Sequence, residues 1–269
     1  VKLRIFTLAY EAIPFIERHL PVFEQLNVDW HWIIVHGPSN NGGSTNWCQP
    51  QGVGLSTDGT TEYLRAIRAR DRVTVIEKKS WPSKDMMCNA ALSVLSAPPC
   101  HAVALGVSGC VLFQIDADEF WRPDQLETVI HLFAERPQLS SIQFPCRYFV
   151  GPNLILRGEH CYGDHDFEWL RAWRYTPGRK FISHEPPVLE GDDPAHRLSK
   201  TESRSLGLVF DHHAYATEDQ CRYKEAFYGY RGLVNQWRAL QHYDQFPVAL
   251  SRFFSHVKGN QCDVIKISC

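Results

Sequence analysis

Residues 111–121 read VLFQIDADEFW, an apolar run that ends in the acids Asp116, Asp118 and Glu119. Val111, Leu112, Phe113 and Ile115 give this run the composition of a strand buried on both faces, as in a parallel sheet. Carboxylates crowded at the end of such a strand repel one another unless something offsets their charge, and a divalent cation would do so. In open parallel sheets the ligand crevice lies just outside the carboxyl ends of the strands. Asp116 and Asp118 therefore mark the place for a metal–diphosphate complex, with Mg2+ or Mn2+ suited to hard carboxylate oxygens. The alternative is that the acids only cap the helix that follows at Pro123 or Asp124.

Working outward, residues 3–8 (LRIFTL) form a first strand, and Phe15, Ile16, Leu20, Phe23 and Leu26 mark one face of a helix over 13–26. Residues 30–35 (WHWIIV) give the second strand, completing a βαβ unit. Residues 37–59, rich in Gly, Ser, Asn and Pro, read as a long loop of the kind that is usually functional. A helix over 60–70, with Thr57 or Asp58 as N-cap, a strand over 73–76, a helix over 84–97 and a strand over 109–115 follow. The helix Pro123–Glu135 and one strand over 141–150 end this alternating half. Alternation of this kind predicts a Rossmann-like three-layer α/β/α sandwich with a mostly parallel central sheet. Downstream, 151–170 and 184–205 read as loops, with strands over 170–175 and 180–183 between them. A single helix is expected over 218–243, its stripe of Tyr223, Phe227, Tyr230, Leu233, Val234, Trp237 and Leu240 taken as core packing. The expected organisation is one domain over 1–269, with a first half over 1–120 and a second half over 121–269 that ends in a helical and loop extension.

The 269 residues include 28 Lys plus Arg against 30 Asp plus Glu, so no basic excess marks a general nucleic-acid binder. Hydrophobic content of 44% with 22% charged residues excludes a mainly disordered chain. Nine cysteines are scattered without a CxxC pair, which excludes a zinc ribbon or thioredoxin-type motif. They read as mostly buried free thiols in a reducing, cytoplasmic compartment. No retained signal peptide or run long enough to span a membrane is visible, which leaves peripheral membrane association open.

The acidic run after an apolar strand, downstream of an N-terminal βαβ unit, resembles the GT-A fold of nucleotide-sugar glycosyltransferases, and within it glycosyltransferase family 2. Leu8-Ala9-Tyr10-Glu11 resembles that family's nucleotide-facing turn after the first strand. Ser56-Thr57-Asp58-Gly59-Thr60 resembles its STDGT segment. Lys84 and Asn89, in KDMMCNAAL, sit where members carry a basic residue and an Asn, and His184-Glu185-Pro186 resembles the downstream His-Glu that reaches the metal. Two departures stand out: His36 ends the second strand where members place an acid for the base, and a long insertion precedes STDGT.

The resemblance implies transfer of a sugar from a nucleoside diphosphate donor, UDP- or GDP-linked, to a hydroxyl of a carbohydrate, glycolipid or protein acceptor, with inversion. It implies Asp118 as metal ligand, Asp116 and Ala117 beside the ribose and the metal-bound water, and His184 as the further ligand. Lys84, with Arg171 or Arg174, would meet the diphosphate. An inverting enzyme needs a general base, for which Asp166 comes first and Asp164 or Glu185 next. His212 and His213 are further candidate ligands, with packing as their other reading. Trp121, Tyr148, Trp169 and Trp173 are candidate acceptor-stacking rings, with Trp81 beside them. The competing readings are a nucleotidyltransferase of the same fold type and a catalytically silent carbohydrate-binding domain.

Overall fold

The computed structural model describes residues 1–96, 110–158, 169–259 and 261–267. Its centre is a seven-stranded sheet built on four parallel strands: β1 (Lys2–Ala9), β2 (Trp30–His36), β3 (Val73–Glu77) and β4 (Cys110–Gln114). β1 lies between β2 and β4, and the order β3-β2-β1-β4 puts the carboxyl ends of all four strands along one rim. Phe6, Ile5, Leu112 and Phe113 have no exposed surface, so these strands are apolar on both faces because both faces are covered.

Beyond β4 the sheet continues through β9 (Leu170–Tyr175), antiparallel to β4, then β6 (Ser141–Gln143) and the short β12 (Arg197–Leu198). The helices α2 (Thr60–Ile67), α3 (Lys84–Ser96) and α4 (Pro123–Glu135) follow β2, β3 and β4 in the chain. Among the described residues the buried apolar side chains form three clusters. The largest holds Phe113, Trp121, Phe133 and Phe144, the second packs Met87, Cys88 and Leu92 of α3 against Phe6, Trp173 and Phe181, and a small third joins Phe15, Phe149 and Ala216.

Several boundaries differ from the sequence reading. The helix expected over 13–26 is a 3-10 turn, Ile16–Arg18, running into a five-residue α1 (His19–Phe23); Pro14 and Pro21 lack the N–H groups that a longer regular helix needs. The N-cap of α2 is Gly59, at φ 101°, while Asp58 takes the Thr60 N–H at 3.0 Å. The strand expected over 141–150 is two strands in different sheets, β6 and β7 (Cys146–Gly151), broken at Phe144-Pro145 where proline has no N–H for a ladder. The helix expected over 218–243 divides into α6 (Glu218–Tyr228) and α7 (Leu233–Gln241), because Gly229 and Gly232 take left-handed φ values of 71° and 75°.

The segments read as loops also contain structure. β8 (Leu154–Arg157), β11 (Pro187–Leu189) and α5 (Lys200–Ser205) lie within them, and β10 (Phe181–His184) pairs with β11 as a hairpin. A second sheet of six strands runs β14-β15-β8-β7-β13-β5, with β5 at Glu119–Phe120, β13 at Phe210–His212, β14 at Val248–Ala249 and β15 at Asp263–Lys266. Cys48, Cys88, Cys221 and Cys262 are buried free thiols and Cys110 and Cys146 are half-buried; Cys100, Cys161 and Cys269 lie outside the described residues. Among the described residues no helix is long and apolar enough to cross a membrane.

Trp173 of β9 has no exposed surface and meets Phe181 edge-on at 5.4 Å. Trp173→Ala should therefore lower stability by about 3–5 kcal/mol, as for other large-to-small core changes, read as a shift in the urea unfolding midpoint.

Candidate functional site

A cleft of about 1060 Å3 opens at the carboxyl ends of β1 and β4. One wall is the turn after β1, which the STDGT segment holds by a ladder of hydrogen bonds. Glu11 N–H donates to Ser56 Oγ (2.9 Å), Ala12 N–H to Thr60 Oγ1 (2.8 Å) and Ile13 N–H to Asp58 Oδ2 (2.9 Å). In return, Thr57 N–H donates to the Glu11 carboxylate at 3.0 Å. The two segments, far apart in sequence, thus form one unit, with Glu11 held at a left-handed φ of 48°. Leu8, Ala9, Tyr10, Glu11 and Asp58 all line the cleft. His36 does not: it is fully buried, its Nδ1 donates to the Ala9 carbonyl (3.0 Å) and its Nε2 shares a hydrogen bond with the Thr61 hydroxyl (3.0 Å). Its ring braces the β1 turn from behind.

The acidic turn after β4 is clamped by Arg171 of β9. The Arg171 guanidinium reaches Glu119 at 2.7 Å and Asp116 at 3.0 Å, and all but 5% of its side chain is enclosed. Burial alone would favour neutral Glu119, and the doubly hydrogen-bonded guanidinium opposes this. For Asp116, burial also pushes the carboxyl up, but Arg171, His184 and the Gln114 amide outweigh it and hold the pKa at about 2. Asp116 also donates its backbone N–H to Glu119 (3.2 Å). Arg171 lines the cleft while holding these acids. Arg174, the alternative diphosphate ligand, points elsewhere: its guanidinium donates to the carbonyls of Phe133, Arg136 and Leu139, at the end of α4.

Asp118 faces the second sheet. Its Oδ2 accepts from Gln220 of α6 at 3.2 Å, and its Oδ1 lies 3.6 Å from His212 Nε2. Pairing of β5 with β13 sets His212 opposite Glu119 and so beside Asp118. Burial lowers the His212 pKa to about 4, leaving a neutral imidazole, and its Nδ1 has no partner among the described residues. His213 turns away from the cleft and lies flat on Phe149 at 4.1 Å.

His184, at the end of β10, lines the cleft with Lys84. The strand end is pinned from α3: Asn89 exchanges two hydrogen bonds with the Phe181 backbone (3.0 and 2.8 Å), and Asp85 accepts the His184 N–H at 2.7 Å. Asn89 therefore holds β10 and does not line the cleft. The Cys88 thiol lies 3.5 Å from His184 Nδ1. Burial raises the thiol and lowers the imidazole to about 3, so both groups are neutral and share one hydrogen bond through Nδ1, which leaves Nε2 as the ring nitrogen not engaged there.

Among the described residues no three or more such side chains converge as a metal-binding set, so the expected trio of Asp116, Asp118 and His184 is not assembled. Asp116 is spent on Arg171 and Gln114. The pair that does fit a divalent cation is Asp118 with neutral His212. Their separation matches the ~3–3.5 Å between two ligands of one ion, and Mg2+ and Mn2+ take remaining ligands from phosphate and water.

Of the four acceptor candidates, Tyr148 and Trp169 line the cleft. Trp121 stacks on Phe210 at 4.6 Å inside the larger core, and Trp173 is equally buried, so neither ring reaches a ligand. Trp81 is buried too, donating to the His36 carbonyl at 3.0 Å. Glu185 lines the cleft; Asp164 and Asp166 lie outside the described residues. Sequence reasoning missed α6. Gln220, Tyr223, Lys224 and Tyr228 face the cleft, while Cys221 and Phe227 of the same helix are buried. Lys224 Nζ sits 4.9 Å above the Tyr215 ring, and burial lowers its pKa while Asp118 works to raise it. The available signal was the polar half of that helix, with Gln220 and Lys224 one turn apart.

No protein-family model and no curated protein sequence matches the chain. Among solved structures it is similar to TarS, to a mannosyltransferase and to a synthetase. TarS residues 1–349 from S. aureus is 12% identical, with 65% of this chain and 47% of that one covered and a TM-score of 0.42. The mannosyltransferase PcManGT from Pyrobaculum calidifontis, in complex with GDP-Man and Mn2+, is 20% identical, covering 54% and 36% at a TM-score of 0.37. CMP:2-keto-3-deoxy-manno-octonic acid synthetase with CTP is 12% identical, covering 70% of each chain at 0.33. This chain therefore spans about half the length of the TarS fragment.

Arg171→Met leaves Glu119 enclosed without its cation, so the carboxyl takes up a proton and loses its paired hydrogen bonds; this should destabilise the protein by about 3–5 kcal/mol, and adding Glu119→Gln should recover part of that loss in the same urea titration. A second outcome concerns pH. Burial depresses His19 and His212 to about 4 and His184 to about 3, from 6.5 in the unfolded chain. The unfolded state then binds more protons between these values, so stability is full above 6.5 and declines as the pH falls toward 4. Urea midpoints measured from about pH 7.5 down to about pH 4.5 should fall, and His19→Gln, which keeps a donor toward the Ala117 carbonyl, should shallow the slope.

Proposed function

We propose that this chain is a GT-A-type glycosyltransferase that transfers a sugar from a UDP- or GDP-linked donor to a hydroxyl of a carbohydrate or glycolipid acceptor, with inversion. The observation that supports it most is the clamped acidic turn at the end of β4, which shares a cleft with the β1 turn and with two lysines, Lys84 and Lys224. This is the crevice position that open parallel sheets give to nucleotide ligands.

In this reading Tyr10, Glu11 and Asp58 flank the nucleoside, and Lys84 and Lys224 meet the diphosphate. Lys224, enclosed beside Asp118, acts in a medium where its charge is worth more than in water. Asp118 and His212 would hold Mn2+ or Mg2+, which when bound offsets the charge that builds on the leaving diphosphate. His184 donates Nε2–H to an anionic oxygen of the donor. The acceptor hydroxyl loses its proton to a cleft carboxylate: Glu185 among the described residues, or Asp166 or Asp164 outside them. Arg171 touches no donor atom and keeps Asp116 ionised and in place. We place the enzyme in the cytoplasm, at a membrane surface where the acceptor is a glycolipid.

Calorimetric titration of UDP, GDP and CTP, with and without Mn2+, tests this. UDP or GDP should bind, Mn2+ should tighten binding to the wild type and not to Asp118→Asn, and Lys224→Met should weaken binding about tenfold. Absence of any nucleotide binding refutes the proposal, and a preference for CTP with pyrophosphate release makes the chain a nucleotidyltransferase.

A further inference from the structure

The inserted loop between β2 and α2 carries Trp47, which is 53% exposed at the cleft. The loop around it is fixed by its neighbours. Ser44 N–H donates to Asp85 at 2.8 Å, and Gln49 N–H donates to the Phe227 carbonyl of α6 at 2.8 Å. One face of Trp47 is covered by Tyr228, parallel within 16° at 5.3 Å. Tyr228 stacks in turn on Tyr230 (5.3 Å), and Tyr230 lies flat on His256 (4.0 Å). Trp47, Tyr228 and Tyr230 all line the cleft, so the column is a preformed aromatic wall with the outer Trp47 face left to solvent.

The charge beside this wall selects its occupant. Glu185 lines the same cleft, and its N–H donates to Ser44 Oγ (3.3 Å) in the loop that carries Trp47. Lys224 Nζ lies 5.6 Å from the Tyr228 ring, on the inner part of the wall, while a carboxylate near the Trp47 loop suits hydroxyl groups, which donate to it. A pyranose ring has both requirements, an apolar C–H face for the indole and a rim of hydroxyls for the carboxylate.

We propose that Trp47, Tyr228 and Tyr230 form a carbohydrate subsite of the cleft that seats a sugar ring of the acceptor on the Trp47 face beside Glu185. The proposal rests on the glycosyltransferase reading and assigns its acceptor as a glycan held by stacking. It also gives the insertion before STDGT a role, since that insertion supplies the platform.

The test uses the intact chain, with saccharide binding followed by saturation-transfer NMR and calorimetry, and chitotetraose, mannotetraose and cellotetraose as probes. UDP and GDP, titrated in parallel, report the donor side. At least one saccharide should bind the wild type, about tenfold more weakly to Trp47→Ala and less weakened in Trp47→Phe, with nucleotide affinity unchanged in both. A wild type that binds nucleotide but none of the saccharides overturns the subsite while leaving the donor reading intact. Loss of nucleotide affinity in Trp47→Ala equal to that of saccharide overturns it too, since the wall would then hold the base. Thermal melts confirm that each variant is folded, and Trp47, being exposed, can be truncated without opening the core.

Discussion

The Arg171 guanidinium is the interaction on which the cleft depends. Three acids within four residues of a buried strand end would repel one another and unravel the turn; a single enclosed cation from the neighbouring antiparallel strand binds two of them. The pairing fixes which acid is left over. Glu119 is consumed inside, Asp116 is ionised but engaged, and Asp118 turns toward the second sheet, where His212 and Gln220 meet it. A buried ion pair of this kind is weak as a source of net stability, because both partners lose their water. Its effect here is placement: it holds the turn in one conformation and leaves one carboxylate for chemistry.

The second sheet is what makes a strand end into a pocket. Proline at position 145 sends the chain out of the main sheet after β6, and β7 and β13 then carry His212 to the acidic turn. The glycines that end α6 and start α7 let the chain reverse, so that α6 lays one face over the opening. Lys84 from α3 and Lys224 from α6 thereby enter one space from opposite ends of the sequence. Their charges balance acids locally, so a chain with a net charge of −2 places two cations in one cleft.

Much of the fold was legible because the relevant signals are local. Strands β1, β2 and β4 are mostly apolar, with Phe6, Ile33, Ile34, Leu112 and Phe113 fully buried, and burial on both faces requires that composition. The turn after β1 and the STDGT segment were legible through their resemblance to a family pattern; of that segment Asp58 lines the cleft, while Ser56 and Thr60 hold the turn. The rings were less legible. Trp121, Trp169 and Trp173 carry the same side chain within one region, yet Trp169 lines the cleft and the other two are core. Nothing in their neighbours' identities separates them, because the side of a sheet that faces a cavity depends on what packs over it. His36 and Asn89 were misread for a related reason: polar residues at a strand end and on a helix serve equally well to satisfy backbone groups.

The sequence by itself determined the parallel α/β core, the acidic turn and its position at a strand end, since these follow from apolar periodicity and the electrostatics of neighbouring residues. Tertiary structure alone decided that Arg171 neutralises two of the acids while Arg174 caps a helix, that His212 rather than His184 stands beside Asp118, and that α6 and the loop around Trp47 wall the cleft. Each of these is a meeting of residues fifty or more positions apart, or a choice between identical side chains. Only strand register and the packing of one layer on another make such choices.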